Sequence, residues 1–232
     1  MTNILMTGSS RGIGAAIAGT LAVTPDVAFA GHGTASGIAA DFADATGPRS
    51  LWDTALDQLG SIDVLINNAG VFEANSIDLD DAEWVANWER TMRINLTASA
   101  ELCRLVIRHW QERGVGGRIV NVASRAAYRG DSPAHWHYAA SKAGMVAMTK
   151  SIARGYAGAG ILAFAVCPGF TMTGMAEDYL ASRGGDKLLA DIPLGRVADP
   201  DEVANAVVYL ALSAPPSMTG AVIDVNGASY VR

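Results

Sequence analysis

Short apolar runs alternate with amphipathic stretches along most of the chain. Several of the runs are bounded by Gly or Pro and lack strict polar alternation, which is typical of buried parallel strands. Strands are predicted at Asn3–Met6, Val27–Ala30, Val64–Asn67, Arg118–Ala123, Leu162–Cys167 and Ala221–Asp224. The amphipathic stretches between them predict helices at Ala15–Ala22, Ala82–Gln111, Tyr138–Gly155 and Pro200–Ser213.

This alternation predicts one α/β domain with a doubly wound parallel sheet. Repeated strand–helix units place helices on both faces of such a sheet and join the strands by right-handed crossovers. A chain of 232 residues fits a single domain, and no stretch of it has the composition of a linker or a repeat. The last predicted helix begins with Asp199-Pro-Asp-Glu, an N-cap followed by Pro and acidic residues.

Composition and charge exclude several classes of protein. A hydrophobic content of 50% with 17% charged residues indicates a compact globular chain rather than a disordered one. The net charge of −6 argues against nucleic acid as a partner. The apolar runs are too short to span a bilayer, and the first strand begins without a signal peptide before it, so we expect a cytoplasmic protein with no membrane partner.

The cysteines and histidines give little evidence for a disulfide or a metal. Cys103 and Cys167 stand in apolar surroundings, where core packing is the expected role. His135 and His137 flank Trp136, but this spacing alone is poor evidence for a metal site. We therefore predict no metal.

A glycine-rich turn follows the first predicted strand. Gly8, Gly12 and Gly14 lie in Thr7-Gly-Ser-Ser-Arg-Gly-Ile-Gly14, directly before a predicted helix. Glycines at this spacing permit a tight turn and let a pyrophosphate approach backbone N–H groups at the helix N-terminus. The alternative is a plain strand–helix turn that happens to be rich in glycine. Its position between a strand and a helix favours dinucleotide binding.

Two further segments end near the same predicted crevice. Asn67-Asn-Ala-Gly70 closes a predicted strand at the carboxyl edge of the sheet, where a dinucleotide would lie. Asp41 follows a short strand-like run and could accept a hydrogen bond from an adenine amino group. A solvated loop carboxylate is the alternative for Asp41.

The segment YAASK places Tyr138 and Lys142 one helical turn apart, on the same face. A neighbouring cation lowers the pKa of a phenol, so that the phenol can exchange protons near neutral pH. Taken alone, this spacing is common by chance and also describes a helix surface with an isolated charge.

Together these motifs resemble the short-chain dehydrogenase/reductase family, nearly from end to end. The family's order is matched by TGSSRGIG, NNAG at 67–70, Asn95, Ser124 in NVAS, YAASK, Pro168-Gly169 and the late segment IPLGRVADPDEVANAVVYLA. The resemblance implies a Rossmann-type sheet of about seven strands, a nicotinamide cofactor, and a homodimer or homotetramer.

The resemblance also implies the role of each site residue. Ser124 would hydrogen-bond the substrate oxygen, and Tyr138 would exchange a proton with it. Lys142 would lower the pKa of Tyr138 and reach the ribose hydroxyls, and Asn95 would hold a water for proton relay. The residues expected to contact the cofactor are Gly8, Ser10, Arg11, Gly12, Ile13, Gly14, His32, Asp41, Phe42, Asn68, Ala69, Gly70, Tyr138, Lys142, Pro168, Gly169, Thr171 and Thr173.

The end of the second strand predicts which nicotinamide cofactor is preferred. NAD-preferring members tend to carry an acid there, but this chain has Gly31. Arg11 stands where NADP-using relatives often have a basic residue, and His32 lies nearby. A solvated loop charge is the alternative for Arg11. We therefore predict that NADP(H) is preferred and that NAD(H) is possible. The segment from Val27 to Asp41 is short, so the helix usually found there is expected to shrink to a loop or a single turn.

Two departures from the family pattern lie near the site. The spacing between Ser124 and Tyr138 is one residue longer than usual, which suggests an extra residue in a loop that borders the substrate pocket. Phe164 stands where relatives commonly have Asn, a change that we interpret as packing.

The substrate is expected to be a ketone or secondary alcohol with an apolar body. A rim of mostly apolar residues, with a lid at Gly174–Leu194, suits such a molecule. The rim residues are Ala126, Tyr128, Trp136, Phe170 and Met175.

An acyl carrier protein is the alternative partner. The segments IPLGR and GAVIDVNG resemble 3-oxoacyl-acyl carrier protein reductases, but Val115 and Ala159 stand where arginines usually dock the acidic carrier. Arg113, Arg125 or Arg129 could substitute for them. We predict a free small-molecule substrate and keep the carrier-dependent reductase as the alternative.

Overall fold

The computed structural model describes residues 1–33, 35–173 and 185–232. Six parallel strands form one sheet in the order β2-β1-β3-β4-β5-β6. The strands are β1 (Thr2–Met6), β2 (Val27–Gly31), β3 (Val64–Asn67), β4 (Gly117–Val122), β5 (Ile161–Pro168) and β6 (Val222–Val225). Each strand begins and ends within one residue of its predicted bounds.

Helices connect these strands and cover both faces of the sheet. They are α1 (Gly12–Ala22), α2 (Gly47–Leu59), α3 (Asp81–Met92), α4 (Ala98–Arg113), α5 (Ala126–Arg129), α6 (Trp136–Tyr156), α7 (Gly185–Ala190) and α8 (Pro200–Leu212), with short 3₁₀ turns at Ala157–Ala159 and Pro216–Met218. No helix in the described part of the chain is long and apolar enough to cross a membrane.

The predicted helix Ala82–Gln111 is interrupted. Its two halves, α3 and α4, are joined by a π-helical turn at Arg93–Thr97, in which the N–H of Ala98 bonds the carbonyl of Arg93. A π turn holds one more residue than an α turn, and such turns occur frequently at functional sites. Asn95 lies within this turn.

Alternate residues of the strands pack into two separate cores. Ile4 and Met6 face the core shared by α1 and α8, whereas Leu5 between them faces the core under α2 and α4. Phe164 is fully buried in the first of these cores, as the packing interpretation predicted. Cys103 and Cys167 are buried and unpaired.

The sheet has six strands rather than about seven. The segment 32–46 is too short to hold both a crossover helix and a further strand, because the crossover alone needs a dozen or more residues and a strand usually adds about five. Of its described residues, only His32 and Ile38 pair, in an isolated parallel bridge, and none of them is helical. The expected loss of the helix is confirmed, and β2 becomes the edge strand.

Candidate active site

The turn between β1 and α1 needs its three glycines. Gly8 and Gly12 have φ values of 69° and 52°, in the left-handed region. A Cβ atom on Gly8 would lie 2.8 Å from the Cα of Ala69, and one on Gly14 would overlap the carbonyl oxygen of Gly8. The backbone N–H groups at the start of α1 can therefore approach an anion closely, as a pyrophosphate requires.

The segment after β3 is bonded to this glycine turn. The side-chain amide of Asn68 donates to the carbonyl of Gly8 over 2.8 Å. The hydroxyl of Thr7 accepts from the backbone N–H groups of Asn68 and Ala69, each at 3.0 Å. These bonds hold two of the predicted cofactor-binding segments together at the carboxyl edge of the sheet.

The segment after β5 returns to the same turn. Pro168 is the last residue of β5, and the N–H of Gly169 bonds the carbonyl of Val225 over 2.9 Å. At the end of the segment, a Cβ atom on Gly12 would lie 3.0 Å from the methyl group of Thr173. Of the predicted cofactor-binding residues in this segment, Thr173 therefore borders the glycine turn.

His32 packs within the protein, with both ring nitrogens engaged. Its Nδ1 accepts from the N–H of Gly8 over 3.3 Å, and its Nε2 donates to the carbonyl of Ala40 over 3.0 Å. The ring stacks on the buried Phe42 with 4.4 Å between centroids, and burial lowers the pKa of His32. An imidazole bonded at both nitrogens holds the glycine turn to the loop at Ala40. The contacts of His32 and Phe42 with a cofactor stay predictions.

The other residues predicted near the adenosine end are more open. Arg11 is exposed, and it precedes α1 without capping it through its side chain. A Cβ atom on Gly33 would lie 2.7 Å from the Cβ of Ser10, so these two loops touch. Ile13 packs against the core of α1 and α8. The exposed carboxylate of Asp41 accepts from the N–H of Ala43 over 2.8 Å, which is the geometry of a local turn.

Ser124 and Tyr138 meet at the centre of this edge. Ser124 follows β4 and accepts a hydrogen bond from the N–H of Ala126 over 3.1 Å. Burial raises the pKa of Tyr138 to about 12, and a hydrogen bond between the Ser124 and Tyr138 side chains opposes this rise. The phenol is therefore protonated at neutral pH, and its pKa is not lowered as we expected from the neighbouring Lys142, because burial outweighs the other effects.

Lys142 is buried behind Tyr138, with 4% of its surface exposed. Its Nζ donates to the carbonyl of Val122 over 2.9 Å and lies 5.8 Å from the centroid of the Tyr138 ring. A Cβ atom on Gly70 would lie 3.5 Å from the same nitrogen. Burial lowers the pKa of Lys142 to about 8, so the ammonium form still predominates at neutral pH.

The Asn95 side chain joins three elements around the site. Its Oδ1 accepts from the N–H of Val71 over 2.8 Å, and its Nδ2 donates to the Val71 carbonyl over 3.0 Å and to the Ser141 hydroxyl over 3.2 Å. The Ser141 hydroxyl donates in turn to the carbonyl of Tyr138 over 2.7 Å. Asn95 thereby links the loop after β3 to the helix that carries Tyr138. Its role in a proton relay stays a prediction.

Sequence reasoning missed a second ring beside Tyr138. The Phe72 ring meets the Tyr138 ring nearly at right angles, at 84°, with 4.8 Å between centroids. The His135 ring lies parallel to the Phe72 ring, with 3.9 Å between centroids. A single Phe after the NNAG segment has no spacing that would mark it as part of a site.

Two arginines after Ser124 share one carboxylate, which the sequence did not reveal. The guanidinium groups of Arg125 and Arg129 lie 3.4 Å and 2.6 Å from an oxygen of Asp191, just after α7. Arg125 is nearly buried, stacks on Phe170 at 4.8 Å, and has its pKa lowered by burial. This pairing joins the loop after β4 to the end of the predicted lid.

The predicted substrate rim is only partly open. Ala126 is buried, and the hydroxyl of Tyr128 accepts from Arg232 over 2.8 Å. Trp136 is 49% exposed and packs edge-on against Trp84 at 6.0 Å. Met175 and residues 174–184 of the predicted lid lie outside the described residues.

Comparison with known proteins gives one family match and many similar chains. Residues 22–228 match the family described as Enoyl-(Acyl carrier protein) reductase. The chain is 35% identical to a 3-oxoacyl-[acyl-carrier-protein] reductase of Vibrio harveyi, over 98% of this chain and 96% of that protein. It is 34% identical to a D-threitol dehydrogenase of Mycolicibacterium smegmatis, over 98% of this chain and 92% of that one. It is 36% identical to a cis-4-hydroxycyclohexanecarboxylate dehydrogenase of Sinomonas cyclohexanicum, over 96% of this chain and 94% of that protein.

Proposed function

The chain belongs to the short-chain dehydrogenase/reductase family, and we propose that it interconverts a ketone and a secondary alcohol on a free small molecule, with NADP(H) as its preferred cofactor. One observation carries this proposal. The Tyr138 side chain is hydrogen-bonded to Ser124. The centroid of its ring lies 5.8 Å from the buried ammonium of Lys142, which also adjoins Gly70.

The residues at the crevice fit a dinucleotide. Its floor is the glycine turn, where a Cβ on Gly8 or Gly12 would crowd Ala69 or Thr173. Such a close-fitting backbone cradle is what a pyrophosphate needs, and Lys142 beside Gly70 has N–H donors for ribose hydroxyls. When bound, the nicotinamide supplies or accepts the hydride.

The protein's own part in the reaction is proton transfer and charge stabilisation. In reduction, the hydroxyls of Ser124 and Tyr138 donate hydrogen bonds to the substrate carbonyl oxygen, and Tyr138 gives up its proton to that oxygen as it becomes an alcohol. The ammonium of Lys142 then stabilises the tyrosinate that remains. In oxidation the same steps run in reverse, with Tyr138 accepting the proton.

Two residues support a preference for NADP(H). Gly31 ends β2 with no carboxylate to repel a 2′-phosphate, and Arg11 lies exposed at the start of α1. The space beside Gly31 is already filled, since a Cβ atom there would lie 2.6 Å from the hydroxyl oxygen of Ser9. An acid at this position therefore requires a change at Ser9 as well.

We expect the double change Ser9→Ala with Gly31→Asp to shift the preference toward NAD(H), because the new carboxylate repels the 2′-phosphate and can bind both ribose hydroxyls. The unmodified enzyme should have the higher kcat/KM with NADPH, and the variant should reverse this ratio. Steady-state kinetics with both cofactors measures it. Ser9→Ala with Gly31→Asn is the matched control, which has the same shape without the charge. A higher kcat/KM with NADH in the unmodified enzyme would contradict the preference.

The described arginines near the rim support a free substrate over a carrier protein. Val115 and Ala159 are exposed without charge where docking arginines would stand. The Arg125 and Arg129 guanidinium groups are paired with Asp191, and Arg113 contacts His109 over 3.1 Å. These groups would have to leave their partners to bind an acidic carrier. The names of the threitol and hydroxycyclohexanecarboxylate relatives describe free small molecules.

The Vibrio harveyi relative keeps the carrier-dependent reductase as the second candidate. We expect one 3-oxoacyl chain to be reduced with similar kcat/KM whether it is presented on the carrier or as a short free thioester, with little dependence on salt. Missing rim cations should lower the encounter rate with an acidic carrier. A carrier-bound substrate that is strongly preferred, and loses this advantage steeply as salt is added, would contradict the free-substrate proposal. The expected homodimer or homotetramer stays a prediction.

A further inference from the structure

Phe72 and His135 reach the site from two different loops. Phe72 follows β3, and His135 precedes the first residue of α6, which carries Tyr138. The two loops are tied by a backbone bond of 2.8 Å from the N–H of Asn75 to the carbonyl of Ala134. Because β3 and β4 are neighbours in the sheet, the loop after β3 lies beside the Ser124 end of β4.

Three rings form a continuous series at this place, namely Tyr138, Phe72 and His135. The Phe72 ring is nearly perpendicular to the Tyr138 ring and is parallel to the His135 ring within 8°. His135 is itself held by Ser132, whose hydroxyl oxygen lies 2.7 Å from its Nδ1. The stack therefore fixes the Phe72 ring against the phenol that exchanges the proton.

Phe72 is nevertheless 37% exposed, whereas the core ring of Phe42 is 5% exposed. An apolar ring fixed in place against the ring of the reacting tyrosine, yet left partly open, offers contact area to whatever is bound there. The backbone bond between the loops already joins them, so the two rings are not needed for that purpose alone.

We propose that the stacked Phe72–His135 pair is the wall of the substrate pocket that selects ketones and alcohols carrying an aromatic ring over straight-chain ones of equal size. This rests on the proposed ketone–alcohol chemistry at Tyr138. Aromatic rings gain about 0.5–1.5 kcal/mol from offset or edge contacts beyond the area that they bury, which is roughly a twofold to tenfold effect. A flexible chain gains only the free energy of the apolar area that it buries, and it loses rotational freedom when it binds. His135 is a positioning residue that holds Phe72.

Acetophenone and 2-octanone, which have the same number of carbon atoms, test the wall. We expect the unmodified enzyme to prefer acetophenone. Phe72→Leu should lower kcat/KM for acetophenone about fivefold to tenfold, mainly by raising KM. The same change should alter kcat/KM for 2-octanone less than about twofold. His135→Phe keeps a stacked ring and should retain the preference, whereas His135→Ala should lose part of it. Tyr209→Leu, at an exposed ring on α8, is the matched control.

Equal losses for both ketones in Phe72→Leu, or identical behaviour of His135→Phe and His135→Ala, would overturn the proposal. Calorimetric titration of the NADP⁺-saturated protein with the same two ketones gives a second measurement that needs no turnover. If neither ketone is reduced, the proposed activity toward them is wrong. The ratio of the two ketones' binding affinities then tests the Phe72–His135 wall by itself. If Phe72→Leu does not fold, as judged by circular dichroism, the two His135 variants decide.

Discussion

Replacing Tyr138 by Phe is expected to lower kcat about 10²–10⁴-fold while leaving cofactor affinity nearly unchanged. The change removes only the hydroxyl, because the Phe ring can keep the perpendicular contact with Phe72. Without a proton donor at the substrate oxygen, hydride transfer would leave an alkoxide stabilised by Ser124 alone. Steady-state turnover, together with fluorescence titration of the reduced cofactor, measures the two effects separately.

Tyr156→Phe is the matched control, since Tyr156 ends the same helix away from the site. It should keep near-normal turnover. A Tyr138→Phe enzyme that retains more than about a tenth of the normal kcat would remove Tyr138 from the mechanism, because general acid catalysis is worth at least about a hundredfold.

Lys142→Met is expected to lower kcat at least about a hundredfold, to weaken cofactor binding, and yet to raise the midpoint of thermal unfolding. Burial lowers the pKa of Lys142 to about 8, so the folded protein holds this charge at a cost. At about 1.4 kcal/mol per pKa unit, that cost is a few kcal/mol at neutral pH. An apolar side chain of similar length avoids it.

The sign of the pH effect follows from the same shift. A lysine whose pKa is lower in the folded state destabilises the fold most below about pH 8 and progressively less above it. The stability difference between Lys142→Met and the unmodified protein should therefore shrink as the pH rises from 8 toward 9.5. Chemical denaturation at several pH values measures it, with Lys150→Met as the control, since Lys150 is exposed on the same helix. A difference in the free energy of unfolding that stays constant across this range, or a Lys142→Met variant that is less stable at pH 7, would contradict a buried ammonium at Lys142.

Strands and motifs could be predicted from the sequence because each depends on local signals. Buried parallel strands appear as short apolar runs, and the glycine turn, NNAG and YAASK mark their own positions relative to those runs. The structure accordingly brings Ser124, Tyr138 and Lys142 to one edge of the sheet. The order of the motifs along the chain was enough to place them.

What the sequence did not predict depends on contacts between distant segments. His32 looks like a loop cation, but Gly8 and Ala40 bond both sides of its ring. The pairing of Arg125 with Asp191 spans distant parts of the chain and has no periodicity. The π-helical turn after Met92 was missed because Ala82–Gln111 was interpreted as one amphipathic helix, and a phase shift of one residue is a small break in so long a pattern.

The π-helical turn at Arg93–Thr97 makes the length of this helix as important as its composition. Each residue turns an α-helix by about 100°, so the turn acts as a phase shift between α3 and α4. Deleting one residue there would restore a uniform helix, but it would rotate Leu102, Val106 and Trp110 out of the core or else carry Asn95 away from Val71 and Ser141. Natural variation in this segment should therefore consist of substitutions, with insertions and deletions confined to the loops on either side.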